Sequence, residues 1–105
     1  MIDIKGKLID AQTRCEHYHS VLDVIAIKFK CCNEYFPCYK CHEETTNHLP
    51  MIWLKEEWNT KAILCGVCNR ELTINEYLDS NNYCPNCNSA FNPGCSNHYH
   101  LYFEI

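Results

Sequence analysis

The segment Cys31 to His42, CCNEYFPCYKCH, holds four cysteines and one histidine within twelve residues, and nothing else in the chain limits the possible fold so strongly. Cys38 and Cys41 stand at Cys-x2-Cys spacing, which lets two thiolates on one tight turn reach a single ion at a Zn–S distance of about 2.3 Å. His42 follows Cys41 directly, so its ring points away from that ion. The vicinal pair Cys31 and Cys32 raises the same difficulty. Two metal sites that share the segment satisfy all five donors, and the remainder of the chain then has to supply the missing ligands.

A chain of 105 residues buries only a thin core and usually needs staples. Ten cysteines and six histidines are available for that purpose, against three glycines and four prolines. Five disulfides in a secreted protein form the competing reading. The opening MIDIKGKLIDAQTRC is charged throughout and has no apolar stretch of signal-peptide type. Cysteines recur as Cys-x2-Cys three times, and such pairs rarely form the long-loop bridges from which disulfides draw most stability. Histidines are interleaved with them, at Cys15-Glu16-His17, at Cys41-His42 and from Cys95 to His98. A metal reading follows.

Charge narrows the partners. Nine basic against 13 acidic residues give a net charge of −4, and nine thiolates on three zinc ions would bring it to about −7. Phosphate backbones are repelled overall, so nucleic acid is excluded as a general partner. The most apolar run, Val24 to Ile27, stops at Lys28, far short of a membrane span. The expectation is an intracellular, cytoplasmic protein that binds no membrane.

Along the chain, Ile2, Ile4, Leu8 and Ile9 suggest two short strands around Gly6. Cys15 and His17 share one face of an extended segment, and His19 falls on it too. Leu22 to Phe29 reads as a strand delivering the chain to Cys31. Glu43 and Glu44 suit the first turn of a short helix after His42, and Pro50 can open a helical turn with Trp53, Leu54 and Trp58 on one side, closed by Asn59-Thr60. Both tryptophans read as core. Cys65-Gly66-Val67-Cys68 and Cys84-Pro85-Asn86-Cys87, separated by fifteen residues, match a structural zinc site of four cysteines, with Gly66 where the knuckle is tight. Between them, Thr73 and Glu76 form a capping box that predicts a helix over Ile74 to Leu78. Tyr99 to Ile105 alternates like a closing strand.

Together these residues resemble the CHY-type zinc finger family, named for a Cys-x-His-Tyr motif that stands here as Cys15-Glu16-His17-Tyr18. The similarity runs through Cys31-Cys32, Cys38, Cys41-His42 and His48 to both later cysteine pairs, covering nearly the whole chain. It implies a compact fold with three zinc ions, in proteins found alone or fused to RING domains in ubiquitin ligases. A stand-alone member of the family this chain resembles, in fungal mitochondria, is known as a helper of small Tim proteins and is tied to thiol oxidation and zinc handling. The resemblance takes Cys15, His17, Cys31, Cys32, Cys38, Cys41, His42, His48, Cys65, Cys68, Cys84 and Cys87 as ligands, twelve donors for three tetrahedral sites. The preferred partition puts Cys15, His17, Cys38 and Cys41 on one ion, Cys31, Cys32, His42 and His48 on a second, and the last four cysteines on the third. Neighbouring side chains diverge on a strand, so Cys31 and Cys32 meet at one ion only if the backbone turns there; the alternative is that one of them serves the other site.

The expected fold is a small, metal-dependent α+β domain over 1–105, with short strands and short helices. It comprises a cross-braced zinc finger over 1–60 and a zinc-ribbon-like four-cysteine unit with its closing strand over 61–105. The chain has no RING domain, so ligase activity does not carry over. Pro37-Cys38-x2-Cys41 resembles half of a zinc deaminase signature, but the His-x-Glu pair, His42 to Glu44, lies downstream rather than upstream. Twelve donors leave no open position for a catalytic water, and a thioredoxin-like redox pair lacks its βαβ context. The expectation is therefore no enzyme. One function hypothesis is a zinc-stabilised module for protein–protein interaction, with a surface around Trp53, Trp58, Tyr99 and Tyr102. The alternative is zinc handling or thiol-redox assistance to client proteins. His19, Cys95, His98 and His100 are left over, and a fourth zinc site made of them is the alternative to three ions.

Overall fold

The computed structural model describes residues 4–6, 8–10, 12–92 and 99–104. Four strands, β1 (Ile25–Phe29), β2 (Glu34–Phe36), β3 (Lys61–Cys65) and β4 (Glu71–Thr73), form an antiparallel sheet in the order β2-β1-β3-β4. Helix α1 (Tyr39–Thr45) follows β2, a 3-10 turn occupies Lys55–Glu57, and helix α2 (Ile74–Leu78) follows β4. The strands alternate as a two-sided sheet requires. Ile25, Ile27 and Phe29 share one buried cluster with Phe36, Ile63, Cys65 and Leu72, whereas Ala26, Tyr35 and Leu64 form a second, covered by Ile4. Each large apolar side chain taken fully out of water contributes about 1.5–3 kcal/mol. The cysteine ligands lie within and around the first cluster, so the same face supplies both core and metal donors.

Several elements differ from the sequence expectation, each for a local reason. The strand expected from Leu22 starts at Ile25, because Ser20 and Asp23 close a turn in which the Ser20 amide donates to Asp23 Oδ2 at 2.9 Å. The N-terminal strands reduce to single bridges, Ile4 with Tyr35 and Leu8 with Cys15, while Ile2 lies outside the described residues. Between them Gly6 has φ +102° and passes so close to Cys41 that a Cβ would stand 2.7 Å from the Cys41 Cβ.

Helix α1 begins at Tyr39 rather than after His42. Cys38 caps it: its Sγ accepts from the Cys41 amide at 3.3 Å, and the Tyr39 amide donates to the Tyr102 hydroxyl at 3.1 Å. Glu43 and Glu44 therefore fall in the last turns, where the helix dipole is unfavourable to carboxylates, and Glu44 is held there by His17.

Trp53 does not lie on a helical turn. It pairs with Phe103, donates its indole N–H to the Lys28 carbonyl at 2.7 Å, and is buried in the core, with Trp58 packed against it. Trp53 is core, as expected, and Trp58 is half-buried against that core. The tail is not a strand either: the Tyr102 and Phe103 amides both donate to the Tyr99 carbonyl, closing a 3-10 turn over 99–101. Tyr102 and Phe103 are adjacent and both buried, which an alternating strand could not achieve on one face. An interaction surface around Trp53, Trp58, Tyr99 and Tyr102 is overturned by the same burial, since Trp53 and Tyr102 are core residues. Helix α2 forms as expected, with Thr73 Oγ1 accepting from the Glu76 amide and Glu76 Oε1 accepting from the Thr73 amide.

Candidate metal centres

The structure brings the twelve candidate ligands together as three quartets: Cys15, His17, Cys38 and Cys41; Cys31, Cys32, His42 and His48; Cys65, Cys68, Cys84 and Cys87. Within each, the four donor atoms lie within 4.8 Å of one another. The helix α1 region serves the first two. Cys38 is its cap and Cys41 lies in its first turn, while His42, one residue on, is rotated by about 100° around the helix and joins the second quartet. Ligand pairs for the two quartets thus alternate along the chain, the arrangement of a cross-brace.

Cys31 and Cys32 converge because they do not lie on a strand. Phe29 pairs with Glu34, so residues 30–33 make the hairpin loop between β1 and β2. The Asn33 amide donates to the Phe29 carbonyl at 2.7 Å, with Asn33 in the left-handed region at φ 58°. The turn that the vicinal pair requires is present, and both thiols face the same quartet. His42 completes the approach from helix α1. It is buried, stacked on Phe29 at 4.2 Å between ring centroids and edge-on to Phe36 at 5.0 Å.

The third quartet is built from two copies of one turn. After Cys65-Gly66-Val67-Cys68, Asn69 at φ 62° donates its amide to the Cys65 carbonyl; after Cys84-Pro85-Asn86-Cys87, Asn88 at φ 63° donates to the Cys84 carbonyl. The Asn86 and Cys87 amides point at Cys84 Sγ, 3.4 and 3.5 Å away. Gly66 is confined by close approach: a Cβ there would fall on the Gln12 carbonyl oxygen.

Donor separations test the fit to a metal. A tetrahedron with Zn–S about 2.3 Å and Zn–N about 2.0 Å has S···S edges of about 3.8 Å and S···N edges of about 3.5 Å. Cys15 and Cys38 sulfurs are 3.7 Å apart, and His17 Nδ1 stands 3.5 Å from both Cys38 and Cys41 Sγ and 3.9 Å from Cys15 Sγ. In the second quartet Cys31 Sγ is 3.9 Å from Cys32 Sγ and 3.1 Å from His42 Nε2. In the third, Cys65 to Cys87 and Cys68 to Cys84 are both 3.7 Å. A disulfide needs about 2.05 Å, and the nine described cysteines are free thiols. Three quartets of thiol and imidazole donors fit three zinc ions.

Protonation follows the same crowding. The hydrogen bond with Cys38 holds the Cys15 thiol down at about 5, while that bond and burial push Cys38 far up. Burial, then His48 nearby, lower the His42 imidazole and favour the neutral form a metal needs. At His17 burial opposes the charge, but Glu44 and Cys15 outweigh it and the imidazole is raised. The hydrogen bond with Ser89 brings Cys87 down to about 6.

Three supporting elements escaped the sequence reading. Glu44 bonds His17 Nε2 at 2.9 and 3.0 Å, leaving Nδ1 to face the sulfurs; nothing in the sequence pairs residues 27 apart. Asn69 and Asn88 were legible, because each follows a Cys-x2-Cys pair and asparagine tolerates the left-handed region. Ser89, 3.2 Å from Cys87 Sγ, had no signal. Of the leftover donors, His19 and His100 are exposed and belong to none of the quartets found among the described residues, whereas Cys95 and His98 lie outside the described residues. No helix among the described residues is long and apolar enough to cross a membrane.

Comparison with known proteins agrees with this geometry. Helper of Tim protein 13 of Saccharomyces cerevisiae is 53% identical over 104 residues, covering 96% of this chain and 90% of that protein. The protein of the same name from Kluyveromyces lactis is 49% identical over 100 residues, covering 95% and 87%. Probable E3 ubiquitin-protein ligase RZFP34 of Oryza sativa subsp. japonica is 29% identical over 77 residues, which make up 70% of this chain but only 24% of the ligase. The CHY zinc finger family matches residues 15–99, a stretch that begins at the first donor of the first quartet and contains all twelve quartet residues. With a match of that extent, and three four-donor quartets inside it, this chain is a member of the CHY zinc finger family.

Proposed function

We propose that this protein is a non-enzymatic module in which the twelve quartet residues bind three zinc ions, and that the folded, metal-loaded unit acts by binding another protein. The observation that carries the reading is the completeness of each quartet: four donors per ion close a tetrahedral site, whereas a catalytic zinc keeps a position for water. On this reading the metal creates the fold, with a cross-braced pair of sites in the N-terminal part and a zinc-ribbon-like unit formed by the last four cysteines. Thiolate ligands persist where thiols are kept reduced, which favours an intracellular compartment such as the cytoplasm. The net charge of −4 favours a protein over nucleic acid. Since two relatives at 53% and 49% identity are named helpers of Tim proteins, the partner proposed is a protein of the Tim type.

The test is to count bound zinc by native mass spectrometry and to titrate the zinc-loaded chain into a purified Tim protein by calorimetry, with the chelated chain as control. Saturable binding that disappears on chelation is expected. Equal binding by loaded and zinc-free chain, or none by either, counts against the proposal. A second reading, zinc handling or thiol assistance to the client, is favoured by one observation: His48 of the second quartet is exposed.

A further inference from the structure

We infer that the Cys31/Cys32/His42/His48 quartet is an exchangeable zinc site with His48 as the ligand that lets go, so that a thiolate from a partner protein can take its place. The inference rests on the zinc-binding reading above and deepens its second form.

The quartets differ in how their weakest donor is held. In the first, three cysteines are buried and the one imidazole, His17, is clamped through its other ring nitrogen by Glu44 at 2.9 Å. In the third, both cysteine pairs stand on hydrogen-bonded turns closed by Asn69 and Asn88. His48 has neither support. No hydrogen bond among the described residues reaches its ring, which stands edge-on to the His42 ring at 4.9 Å. Its backbone is equally untied: between the Thr46 amide, bonded to His42, and the Trp53 amide, bonded to Tyr102, the described residues show no backbone hydrogen bond. A metal-bound imidazole is normally fixed through its second nitrogen, and loss of such support costs about 10–100-fold in affinity.

Moving His48 also disturbs little. The following Leu49 is 86% exposed and Met51 53% exposed, so a swing of this segment uncovers no core. The other three donors stay in place. Cys31 and Cys32 are fixed by the hairpin loop, and His42 is buried and stacked on Phe29. A partner thiol that enters donates a sulfur lone pair to the ion, and its proton passes to the released His48 imidazole. The ion stays divalent and no electron is transferred. The shared Zn–thiolate chemistry allows traffic in either direction, towards a client or from it.

The experiment uses the full chain loaded with zinc. Fewer than three ions by native mass spectrometry would overturn the zinc reading and this inference with it. The loaded protein is mixed with excess pyridylazo-resorcinol chelator, and release is followed by absorbance while near-UV circular dichroism reports the packing of Trp53 and Trp58. One ion of three should leave at least about 10-fold faster than the others, with the near-UV signal kept. His48→Ala should accelerate that phase by about 10-fold or more, or retain only two ions, and His48→Cys should slow it by at least about 10-fold. Release of all three ions in one phase, a fast phase indifferent to both His48 variants, or a fast phase abolished by Cys68→Ser overturns the inference while leaving the three-zinc reading intact.

Discussion

Cys65, Cys68, Cys84 and Cys87 are presented by two turns of the same form, each complete within six residues and closed by its own backbone hydrogen bonds. The other eight donors come from a bend after Cys15, a hairpin loop, a helix and its cap, and a loop beyond it, and the two quartets interlock through Cys38, Cys41 and His42. The difference is one of cooperativity. A quartet of two self-closing turns needs only that the turns be brought together, by β3 and β4 on one side and α2 on the other. An interlocked pair needs the β1–β2 hairpin and α1 in place at once, so loss of a donor from one quartet displaces the segment that serves the other.

The largest effect should come from removing all zinc, which tests whether either region folds without metal. A structural zinc site supplies about 10 kcal/mol or more, and the thin core cannot offset chain entropy without it. Complete chelation should abolish the near-UV signal of Trp53 and Trp58, and restoring zinc should recover it. A zinc-free chain that keeps native circular dichroism would break the comparison at its root.

Next in size is a pair of variants that separates the regions. Cys41→Ser should lose both N-terminal ions, because α1 carries donors to both quartets, whereas Cys68→Ser should lose one ion and keep the other two. Native mass spectrometry of the two proteins reads this directly. If Cys41→Ser still holds two ions, the interlocking is without energetic consequence.

Glu44→Gln probes one support of the interlocked pair. Glu44 orients His17 from the far side of its ring, and removing the charge should weaken the first site about 10–100-fold with zinc count unchanged at saturation. A competition titration against a chelator measures it, and an affinity equal to the parent would show that the Glu44 contact does not tune the ligand.

The smallest effects belong to the repeated turns. Asn69→Ala and Asn88→Ala should each cost about 1–2 kcal/mol, because an alanine Cβ is disfavoured at positive φ, while the glycine variants should be close to neutral. Thermal unfolding of the loaded protein distinguishes them. Equal loss for alanine and glycine would mean that the asparagine side chains, not their backbone conformation, sustain the turns.

What could be read from the sequence was whatever repeats over a short span. Cys-x2-Cys spacing, the Thr73/Glu76 capping box and the alternation of β1 each depend on residues within one turn or two, so their physics is complete in the local sequence. The partition of the twelve donors was legible for a related reason: His42 beside Cys41 has to face the other way. Tertiary structure decided the rest. Whether Cys31 and Cys32 could share an ion hung on the pairing of Phe29 with Glu34, which makes them a loop and not a strand. The start of α1 was set by Cys38 and by a hydroxyl from Tyr102, 63 residues away, and the tail turned instead of extending because Tyr102 and Phe103 both enter the core. Glu44 found His17 across 27 residues. Contacts of that kind are fixed by where the sheet places chain segments in space, and local spacing carries no information about them.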